Sequence, residues 1–443
     1  MEKNLIPTEE MFFFNLVSID EVGEVFEWKG RIFRGITEEA KPLVDRYFSS
    51  GFLGCIVEKG YFPKTEISSY TNPKYCYILE HERIDLQTVD AEWSFDMLKD
   101  AALLVCTVAQ IAWEYGFNMK DCHTKNVLFR NNKPIYVDLG SFVFIEEGTS
   151  GFKSYEQLFS YFYYVLRLWS DGCISLPKQL QALYIFKKRD YLLYRYPFFR
   201  HFQKMLDTYL RVNYSLFLLT TTGCDSSYVE KNKMRFLLWK ILNKYKLFRW
   251  QKPQCFKKLF VKLKTPRILL KTQVINNSYR IDNEFADYID NKTDLIIVNP
   301  CCYGFLDSFV ERFKDNKIIT VDYIESYGNT NYLKYKNRGN SITCLSFNMS
   351  YPIVHHNYYS PPQERLKTSA MIVVGPREIV NYQRKPIEVL FKTLLGYDFE
   401  LLIVVEEKPC AISSDENTRI NTWYDLLNTV TKEDFIISFY QKK

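Results

Sequence analysis

One short segment of this 443-residue sequence carries polar residues of the types that phosphoryl transfer requires. Asp121 and Asn126 lie on the same segment, and Asp138 ends the second of two short apolar stretches that follow. In phosphoryl transfer one carboxylate orients the acceptor hydroxyl, while a carboxylate and a carboxamide oxygen hold Mg²⁺ against the nucleotide phosphates. The segment therefore favours phosphoryl transfer, provided that the chain brings Asp138 back beside Asn126.

A hairpin is the element that must position these residues. Apolar stretches at 127–129 and 134–137 flank a polar turn at 130–133, a pattern that predicts two paired strands. A long amphipathic helix is predicted from about residue 93 to 115, where Gly116 ends it. A simpler interpretation stays open, because Asp and Asn also serve as capping residues in ordinary turns.

The segments before and after this hairpin predict a small strand-rich piece followed by a helical piece. Residues 24–36 alternate around Lys29-Gly30 and predict another hairpin, with a helix over 38–50 and a strand over 75–79. Aromatic-rich helices are predicted over 152–219.

The pattern Asp-x-His-x-x-Asn, followed by a hairpin and Asp-x-Gly, resembles the catalytic and metal-binding loops of the kinase-like, aminoglycoside-phosphotransferase type fold. The resemblance implies a two-lobed α+β domain that uses ATP and Mg²⁺. It makes Asp121 the catalytic residue and makes Asn126 and Asp138 the metal ligands.

The same resemblance implies three nucleotide-binding residues, namely Arg34, Glu80 and Lys125. The sequence departs from the kinase-like pattern in two respects. No glycine-rich loop precedes the first hairpin, and Arg34 stands where a phosphate-binding lysine is expected. A kinase-like fold retained without catalysis therefore stays open as an alternative.

The last third of the chain has a different pattern. Short apolar stretches without alternation recur about every 25–35 residues, mostly with helical patterns between them, which is typical of a doubly wound α/β domain with a parallel sheet. These stretches are 294–298, 318–321, 343–347, 370–374, 401–405 and 435–439.

In doubly wound domains the ligand lies at the carboxyl ends of the strands. The first stretch ends in a loop with Cys301 and Gly304, the second in Asp322 and the third in Asn348. This order resembles a class I S-adenosylmethionine-dependent methyltransferase, and the resemblance implies that these four residues bind S-adenosylmethionine. The loop departs from the family's Asp-Leu-Gly-Cys-x-x-Gly, since Asn-Pro-Cys-Cys-Tyr-Gly follows Val298. A Rossmann-like domain kept as a scaffold is the alternative.

Read from end to end, the chain resembles a bacterial family in which a kinase-like region precedes a methyltransferase-like domain, often near nodulation-factor or surface-polysaccharide genes. Segments such as Val25 to Arg34, Leu79 to Ile84 and Glu92 to Ala101 carry this likeness. It implies a glycan or lipid-linked saccharide substrate. The predicted regions are a kinase-like N-lobe (1–90), a helical C-lobe (91–225), a basic helical junction (226–280) and a Rossmann-like methyltransferase-like domain (281–443).

The basic junction is the main charge feature. The chain has a net charge of +6, but residues 231–271 carry 14 basic residues and no acidic ones. The remainder therefore has a net charge of −8, the difference between +6 and +14. Residues 231–271 are interpreted either as a helix packed between domains or as a contact with an anionic membrane surface. Nucleic acid is disfavoured because no recognised nucleic-acid motif accompanies the charge.

The composition restricts the classes of protein to which this chain can belong. Eleven cysteines without a repeated CxxC spacing predict reduced thiols and no zinc site. The first residues lack a signal-peptide pattern, and no window approaches about 20 apolar residues. We expect a cytoplasmic protein, with peripheral attachment to the inner face of the membrane left open.

Three functional hypotheses follow. The first is a kinase-like phosphotransferase fused to a diverged methyltransferase-like domain, acting on a bacterial glycan or surface-polysaccharide intermediate. The second is an S-adenosylmethionine-dependent methyltransferase whose kinase-like region is a scaffold. The third is a non-catalytic adaptor of two degenerate domains.

Overall fold

A computed structural model describes most of the chain, and the gaps are concentrated between 174 and 292. It describes residues 5–14, 21–147, 151–173, 177, 191, 252–270, 282–285, 287–290, 293–301, 304, 306–339, 341–349, 360–408, 411–432 and 434–443. Most of the helices predicted for 174–219, and the basic residues at 231–251 and 271, lie outside the described residues.

The first part of the chain forms a five-stranded antiparallel sheet with the order β1-β2-β3-β5-β4. Its strands are β1 (Phe12–Phe13), β2 (Gly23–Trp28), β3 (Arg31–Ile36), β4 (Thr65–Ile67) and β5 (Tyr77–His81). The predicted β2–β3 hairpin and the strand at β5 are confirmed. Strands β1 and β4 were not predicted, because two or three residues are too few to show an alternating pattern.

The two faces of this sheet have different surroundings. One face carries an aromatic cluster that includes Phe26, Phe33 and Tyr75, and the N-terminal residue Ile6 packs on it. The other face joins the main core with helices α1 (Lys41–Ser49) and α2 (Phe52–Glu58). Because side chains alternate along a strand, Arg34 points away from the aromatic cluster to which Phe33 belongs.

The long helix and the hairpin predicted from the sequence are confirmed. Helix α3 (Phe95–Glu114) ends before Gly116, whose φ is 87°. Two small antiparallel pairs follow: β6 (Phe117–Met119) pairs with β9 (Phe142–Phe144), and β7 (Val127–Arg130) pairs with β8 (Lys133–Tyr136). The β7–β8 turn places Asn131 and Asn132 at φ 48° and 60°, a conformation that asparagine tolerates well in two-residue turns.

Further helices pack against α3. Helices α4 (Tyr155–Leu158) and α5 (Tyr164–Ser170) are joined through a π-helical turn. Helix α6 (Pro253–Val261) belongs to the basic segment, and it packs on α3 with Phe256 and Phe260 buried. A short helix α7 (Arg267–Leu270) follows. Within Pro253–Val261 the basic segment is therefore an amphipathic helix that packs on α3.

The last third forms a seven-stranded sheet with the order β12-β11-β10-β13-β14-β16-β15. Its strands are β10 (Leu295–Val298), β11 (Ile318–Asp322), β12 (Ile342–Ser346), β13 (Ala370–Val374), β14 (Leu401–Glu407), β15 (Tyr424–Thr431) and β16 (Phe435–Lys442). Strands β10 to β14 are parallel, as predicted, and every residue of β10 to β13 is buried, so both faces are covered.

Two features of this sheet differ from the prediction. The stretch at 435–439 is a strand, but it runs antiparallel between β14 and β15. Strand β15 was missed because it is polar, mostly exposed and interrupted by a register shift between Leu426 and Asn428, which removes the apolar signal.

The helices of this part occupy the connections between the parallel strands. They are α8 (Leu306–Arg312), α9 (Glu325–Tyr335), α10 (Pro362–Arg365), α11 (Pro376–Gln383), α12 (Ile387–Leu394) and α13 (Ser414–Ile420). No helix in the described ranges is long and apolar enough to cross a bilayer.

The first part of the chain packs against the β12 edge of the seven-stranded sheet. The Cys344 backbone N–H of β12 donates to Asn132 Oδ1 over 2.7 Å. Asp96 and Asn329 join α3 to α9 through reciprocal bonds of 2.9 and 2.8 Å, and Arg365 forms a buried ion pair with Glu92. An open sheet edge is a site of unwanted strand pairing, and here the β7–β8 hairpin covers part of it.

Candidate functional site

The β7–β8 hairpin brings Asn126 and Asp138 together. Asn126 Nδ2 lies 3.1 Å from Asp138 Oδ2 and 3.1 Å from Ser141 Oγ. The Val137 N–H donates to the Asn126 carbonyl over 2.9 Å, which holds the two ends of the hairpin in register. The proximity that the spacing predicted is therefore present.

Asp138 is held by several donors at the end of β8. Its Oδ1 accepts a bond of 3.0 Å from the Gly140 N–H, and the Ser141 hydroxyl donates to Oδ2. Arg34 approaches from β3, with Nη2 3.6 Å from Asp138 Oδ1. The Arg34 side chain is 5% exposed, and a buried guanidinium needs such a carboxylate to offset its desolvation. The ion pair joins the five-stranded sheet to the hairpin.

Asp121 lies on the loop that leads into this hairpin. Its partly exposed carboxylate accepts a bond of 2.8 Å from Gln157 Nε2, and its carbonyl accepts one of 2.9 Å from the Tyr136 hydroxyl. Gln157 is itself oriented, because its Oε1 accepts the Cys122 N–H over 2.8 Å. Sequence reasoning missed Gln157, since it lies on α4 and no local pattern links it to Asp121.

The other two predicted nucleotide-binding residues, Lys125 and Glu80, differ in their position relative to this cluster. Lys125 is partly buried next to Asn126, and burial lowers its pKa while Asp90 opposes that shift. Glu80 is paired with Phe33 in the sheet, so its side chain lies on the face opposite to that of Arg34. There Arg31 Nε donates to Glu80 Oε1 over 2.8 Å.

The first cluster fits a magnesium ion in its donor chemistry. In the described structure Asn126 Oδ1 accepts no hydrogen bond, and Asp138 supplies a carboxylate beside it. No group of three or more His, Cys, Asp or Glu side chains in the described ranges is arranged to hold a metal ion. One carboxylate and one carboxamide suffice only where phosphate and water oxygens complete the coordination, which is the usual way that proteins bind Mg²⁺.

The four residues predicted for a second ligand lie at the carboxyl ends of β10, β11 and β12. Cys301 and Gly304 are in the loop after β10, where Gly304 has a φ of 68°. Asp322 ends β11, and Asn348 follows β12 and accepts a bond of 2.9 Å from Gln383 Nε2. The topology thus brings these residues to one edge of the sheet.

Asp322 is buried at this edge of the sheet. It is 0% exposed, and its Oδ2 accepts a bond of 2.9 Å from Asn331 Nδ2 of α9. Burial raises the pKa of Asp322 to about 7, and the bond from Asn331 only partly opposes this. Burial also raises the pKa of the Cys301 thiol, with a further contribution from Asp322.

Among the described residues, two buried oxygens at this edge have no hydrogen-bond partner, namely Asp322 Oδ1 and Asn299 Oδ1. Unpartnered buried acceptors fit a ligand with hydroxyl or amino donors, such as a ribose and an adenine. The placement thus suits a nucleoside-type cofactor, although Asp322 must release or share its bond to Asn331 before it reaches one.

Sequence reasoning also missed Glu406, a buried carboxyl near the end of β14. Its Oε1 accepts the Ile412 N–H over 3.0 Å, and burial raises its pKa to about 7. The only signal in the sequence was an acidic pair directly after an apolar strand.

No family model and no curated protein matches this chain. Solved structures of methyltransferases share part of its fold. An rRNA methylase from Escherichia coli is 9% identical over 37% of this chain, with a TM-score of 0.26, and this chain spans 61% of its length. TrmK of M. capricolum, solved with S-adenosyl-homocysteine, is 13% identical over 38% of this chain, with a TM-score of 0.26 and 70% of its own length matched.

A third similar structure is a protein from Pyrococcus horikoshii. It is 8% identical over 37% of this chain, with a TM-score of 0.30 and 88% of its own length matched. All three TM-scores are below 0.5, so the fold assignment rests on the observed strand order. That order, with β10 to β14 parallel and β16 antiparallel, is a Rossmann-like sheet of methyltransferase type for the last third of the chain.

Proposed function

We propose that the first part of the chain is a kinase-like phosphotransferase that moves the terminal phosphoryl group of ATP to a hydroxyl group, and that the last third is a methyltransferase-like domain joined to it. The observation that carries this proposal is the cluster of Arg34, Asn126 and Asp138, with Asp121 on the same loop. The order of the five-stranded sheet, the long helix and the paired hairpins supports a two-lobed kinase-like body.

Each residue of the cluster has a chemical role in this proposal. Asn126 Oδ1 and the Asp138 carboxylate hold Mg²⁺, which neutralises charge on the transferring phosphoryl group when it is bound. Arg34 adds positive charge near the phosphates. Asp121 orients the acceptor hydroxyl and accepts its proton, and Gln157 keeps the Asp121 carboxylate in place.

The acceptor is proposed to be a hydroxyl of a glycan or lipid-linked saccharide. This rests on the resemblance to the bacterial surface-polysaccharide family and on the hydroxyl chemistry of Asp121. Loss of a phosphate group from the surface polysaccharide of a deletion strain, detected by mass spectrometry, would support it. An unchanged polysaccharide would contradict it.

Nucleotide binding tests the cluster directly. We expect the protein to bind ATP in the presence of Mg²⁺ by calorimetry, and we expect Asp138→Asn to weaken binding at least tenfold because metal coordination is lost. Asp121→Asn should leave binding intact while abolishing transfer. The exposed Glu58→Gln, at the end of α2, is the matched control. If ATP does not bind with or without Mg²⁺, the proposed phosphotransfer is wrong.

A second candidate is S-adenosylmethionine binding at the sheet edge. It is favoured by the position of Cys301, Gly304, Asp322 and Asn348 at the ends of three neighbouring strands, with two unpartnered buried oxygens beside them. Calorimetry with S-adenosylmethionine tests it, and Asp322→Ala should abolish any binding. If neither this ligand nor ATP binds, both enzyme proposals fail and a non-catalytic adaptor is favoured.

A further inference from the structure

The segment that contains α6 and α7 carries positive charge that the proposed phosphate site does not use. Residues 252–270 include six basic residues and no acidic one. Within the described structure none of the six belongs to an ion pair. Five of them are exposed, namely Lys252, Lys258, Lys262, Lys264 and Arg267. The charge of this segment is therefore directed to solvent.

Helix α6 separates its apolar and basic side chains on two opposite sides. Phe256 and Phe260, one turn apart, are buried where α6 packs on α3. Lys258 and Lys262 are also one turn apart, and each follows a buried phenylalanine by two residues, a rotation of about 200° about the helix axis. The side chains that hold α6 in place thus differ from those that face outward, so α6 can contact a partner without leaving α3.

The outward side also presents two aliphatic side chains among the cations. Val261, at the end of α6, is 61% exposed, and Ile268, in α7, is 56% exposed. Each is next to a basic residue in the chain, Lys262 or Arg267. Cations interspersed with exposed aliphatic side chains are typical of helices that lie in the interface of an anionic bilayer. We call the five exposed basic residues together with Val261 and Ile268 the α6–α7 face.

The inner side of α6 packs on the segment that positions Asp121. The Phe256 ring lies 5.7 Å from the Phe152 ring and 5.9 Å from the Phe159 ring, measured between centroids. Gln157, which donates a hydrogen bond to Asp121, lies between these two phenylalanines in the chain. A surface that binds the α6–α7 face is therefore held against the part of the protein that positions Asp121, which suits an acceptor linked to a lipid.

We propose that the α6–α7 face docks the protein on an anionic lipid surface, with its cations against the lipid phosphates and with Val261 and Ile268 inserted at the boundary between headgroups and acyl chains. A nucleic acid offers phosphates but no hydrocarbon layer for the two aliphatic side chains, so the lipid is favoured. The inference goes beyond the proposed phosphotransfer. Its test uses no nucleotide, so either proposal can fail without the other.

Co-sedimentation of the full chain with vesicles tests the proposal. We expect binding to vesicles of phosphatidylcholine mixed with phosphatidylglycerol, no binding to phosphatidylcholine alone, and weaker binding as the salt concentration rises. The triple variant Lys258→Gln, Lys262→Gln and Lys264→Gln should bind the anionic vesicles about a hundredfold more weakly, because each basic residue near such a surface strengthens binding about fivefold.

A second triple variant controls for the change in net charge. Lys59→Gln, Lys314→Gln and Lys392→Gln remove the same three charges from exposed positions outside the α6–α7 face. This variant should bind the vesicles as wild-type protein does, because the removed charges do not contact the lipid. Melting temperatures of both triple variants should stay close to that of wild type, since the substitutions are on the surface.

The aliphatic side chains distinguish a lipid from a nucleic acid. Val261→Ser with Ile268→Ser should weaken vesicle binding about tenfold through the loss of buried apolar surface, and it should leave binding to a DNA oligonucleotide unchanged. Three results would each overturn the proposal: no binding to anionic vesicles at low salt, equal losses in the two triple variants, or wild-type vesicle binding by the serine variant. Binding to DNA that is tighter than binding to vesicles and depends on the same lysines would assign the face to nucleic acid and also overturn it.

Discussion

Two aspartates of this protein illustrate how surroundings decide what a carboxylate can do. Asp138 is surrounded by donors, since Arg34, the Asn126 amide and the Gly140 N–H all lie within reach of its carboxylate. Asp322 is completely buried, and the hydrogen bonding that it receives offsets the loss of solvent only in part, so its neutral form is favoured. The surroundings of Asp138 suit metal binding, whereas Asp322 is a buried carboxyl group that titrates near neutral pH.

The raised pKa of Asp322 predicts a pH-dependent stability. The pKa of Asp322 is about 7 in the folded protein and 3.8 for an ordinary aspartate, so between these values the folded protein holds a proton that the unfolded chain has released. The free energy of unfolding should therefore fall as pH rises from about 4 to 7, by up to about 1.4 kcal/mol per pH unit. We expect Asp322→Asn to reduce this slope and to raise the melting temperature at pH 8 relative to wild type.

Glu406 provides an independent check of the same effect. Its pKa is also raised to about 7 by burial, so Glu406→Gln should flatten the pH profile over nearly the same range and with the same sign. The double variant should show the smallest slope. Variants that lower the melting temperature equally at pH 5 and pH 8 would contradict both assignments.

Among the elements, the β7–β8 hairpin connects the proposed phosphate site to the second domain. Asn126 and Asp138 lie at its base, while Asn132 at its tip is 1% exposed and bonded to the β12 strand. The Phe129 ring also contacts Tyr332 of α9, with centroids 6.1 Å apart. The position of the Asn126–Asp138 pair therefore depends on how the hairpin packs on the α/β sheet.

The two asparagines of the hairpin turn allow a matched test of this anchor. Both have positive φ, but Asn131 is exposed and Asn132 is buried. Asn132→Gly keeps the turn conformation but leaves the buried Cys344 N–H without its acceptor, at a cost of about 1–3 kcal/mol in urea unfolding. Asn131→Gly should change the free energy of unfolding by less than about 0.5 kcal/mol. Equal effects of the two substitutions would show that the Asn132 bond does not anchor the hairpin.

The buried Glu92–Arg365 ion pair is another contact between the two parts. Its side chains are 3% and 5% exposed, so Arg365→Met leaves an uncompensated buried carboxylate. We expect a loss of about 3–5 kcal/mol in the free energy of unfolding. The combination Glu92→Gln with Arg365→Met should recover part of the loss. Lys41→Met, which breaks an exposed pair with Asp45, should leave the free energy of unfolding close to the wild-type value, because solvent screens exposed pairs.

At the scale of the whole molecule, the two parts behave as one body in the described structure. A continuous core cluster runs from the first sheet through α3 to the seven-stranded sheet, and Tyr332 and Cys344 are 0% exposed at the contact. Asp100 of α3 accepts bonds of 2.8 Å from Tyr332 and 2.7 Å from Lys336. Separation of the parts would expose these groups to solvent.

This continuity predicts a single cooperative unfolding transition. We expect calorimetry of the full chain to show one peak, with the first and last parts losing structure together. Arg365→Met should shift the peak to lower temperature without splitting it. Two resolved transitions in the wild-type protein would mean that the interdomain contacts contribute little to stability.

The sequence by itself determined the local elements and the order of the two parts. The β2–β3 and β7–β8 hairpins, α3 and the parallel strands were predictable, because apolar periodicity and turn residues act over a few neighbouring positions. The proximity of Asn126 and Asp138 was predictable for the same reason, since one hairpin joins them. Strand β15 was not predictable, because an exposed, polar edge strand has no apolar pattern.

Only the tertiary structure decided what surrounds each side chain. Asp322 looked like an accessible ligand residue in the sequence, yet Asn331 and the packing of α9 bury it. Glu80 lies on the face opposite to that of Arg34, and Gln157 donates a hydrogen bond to Asp121 although the two are 36 residues apart in the chain. Desolvation and hydrogen bonding depend on atoms brought together by folding, and no spacing along the chain specifies them.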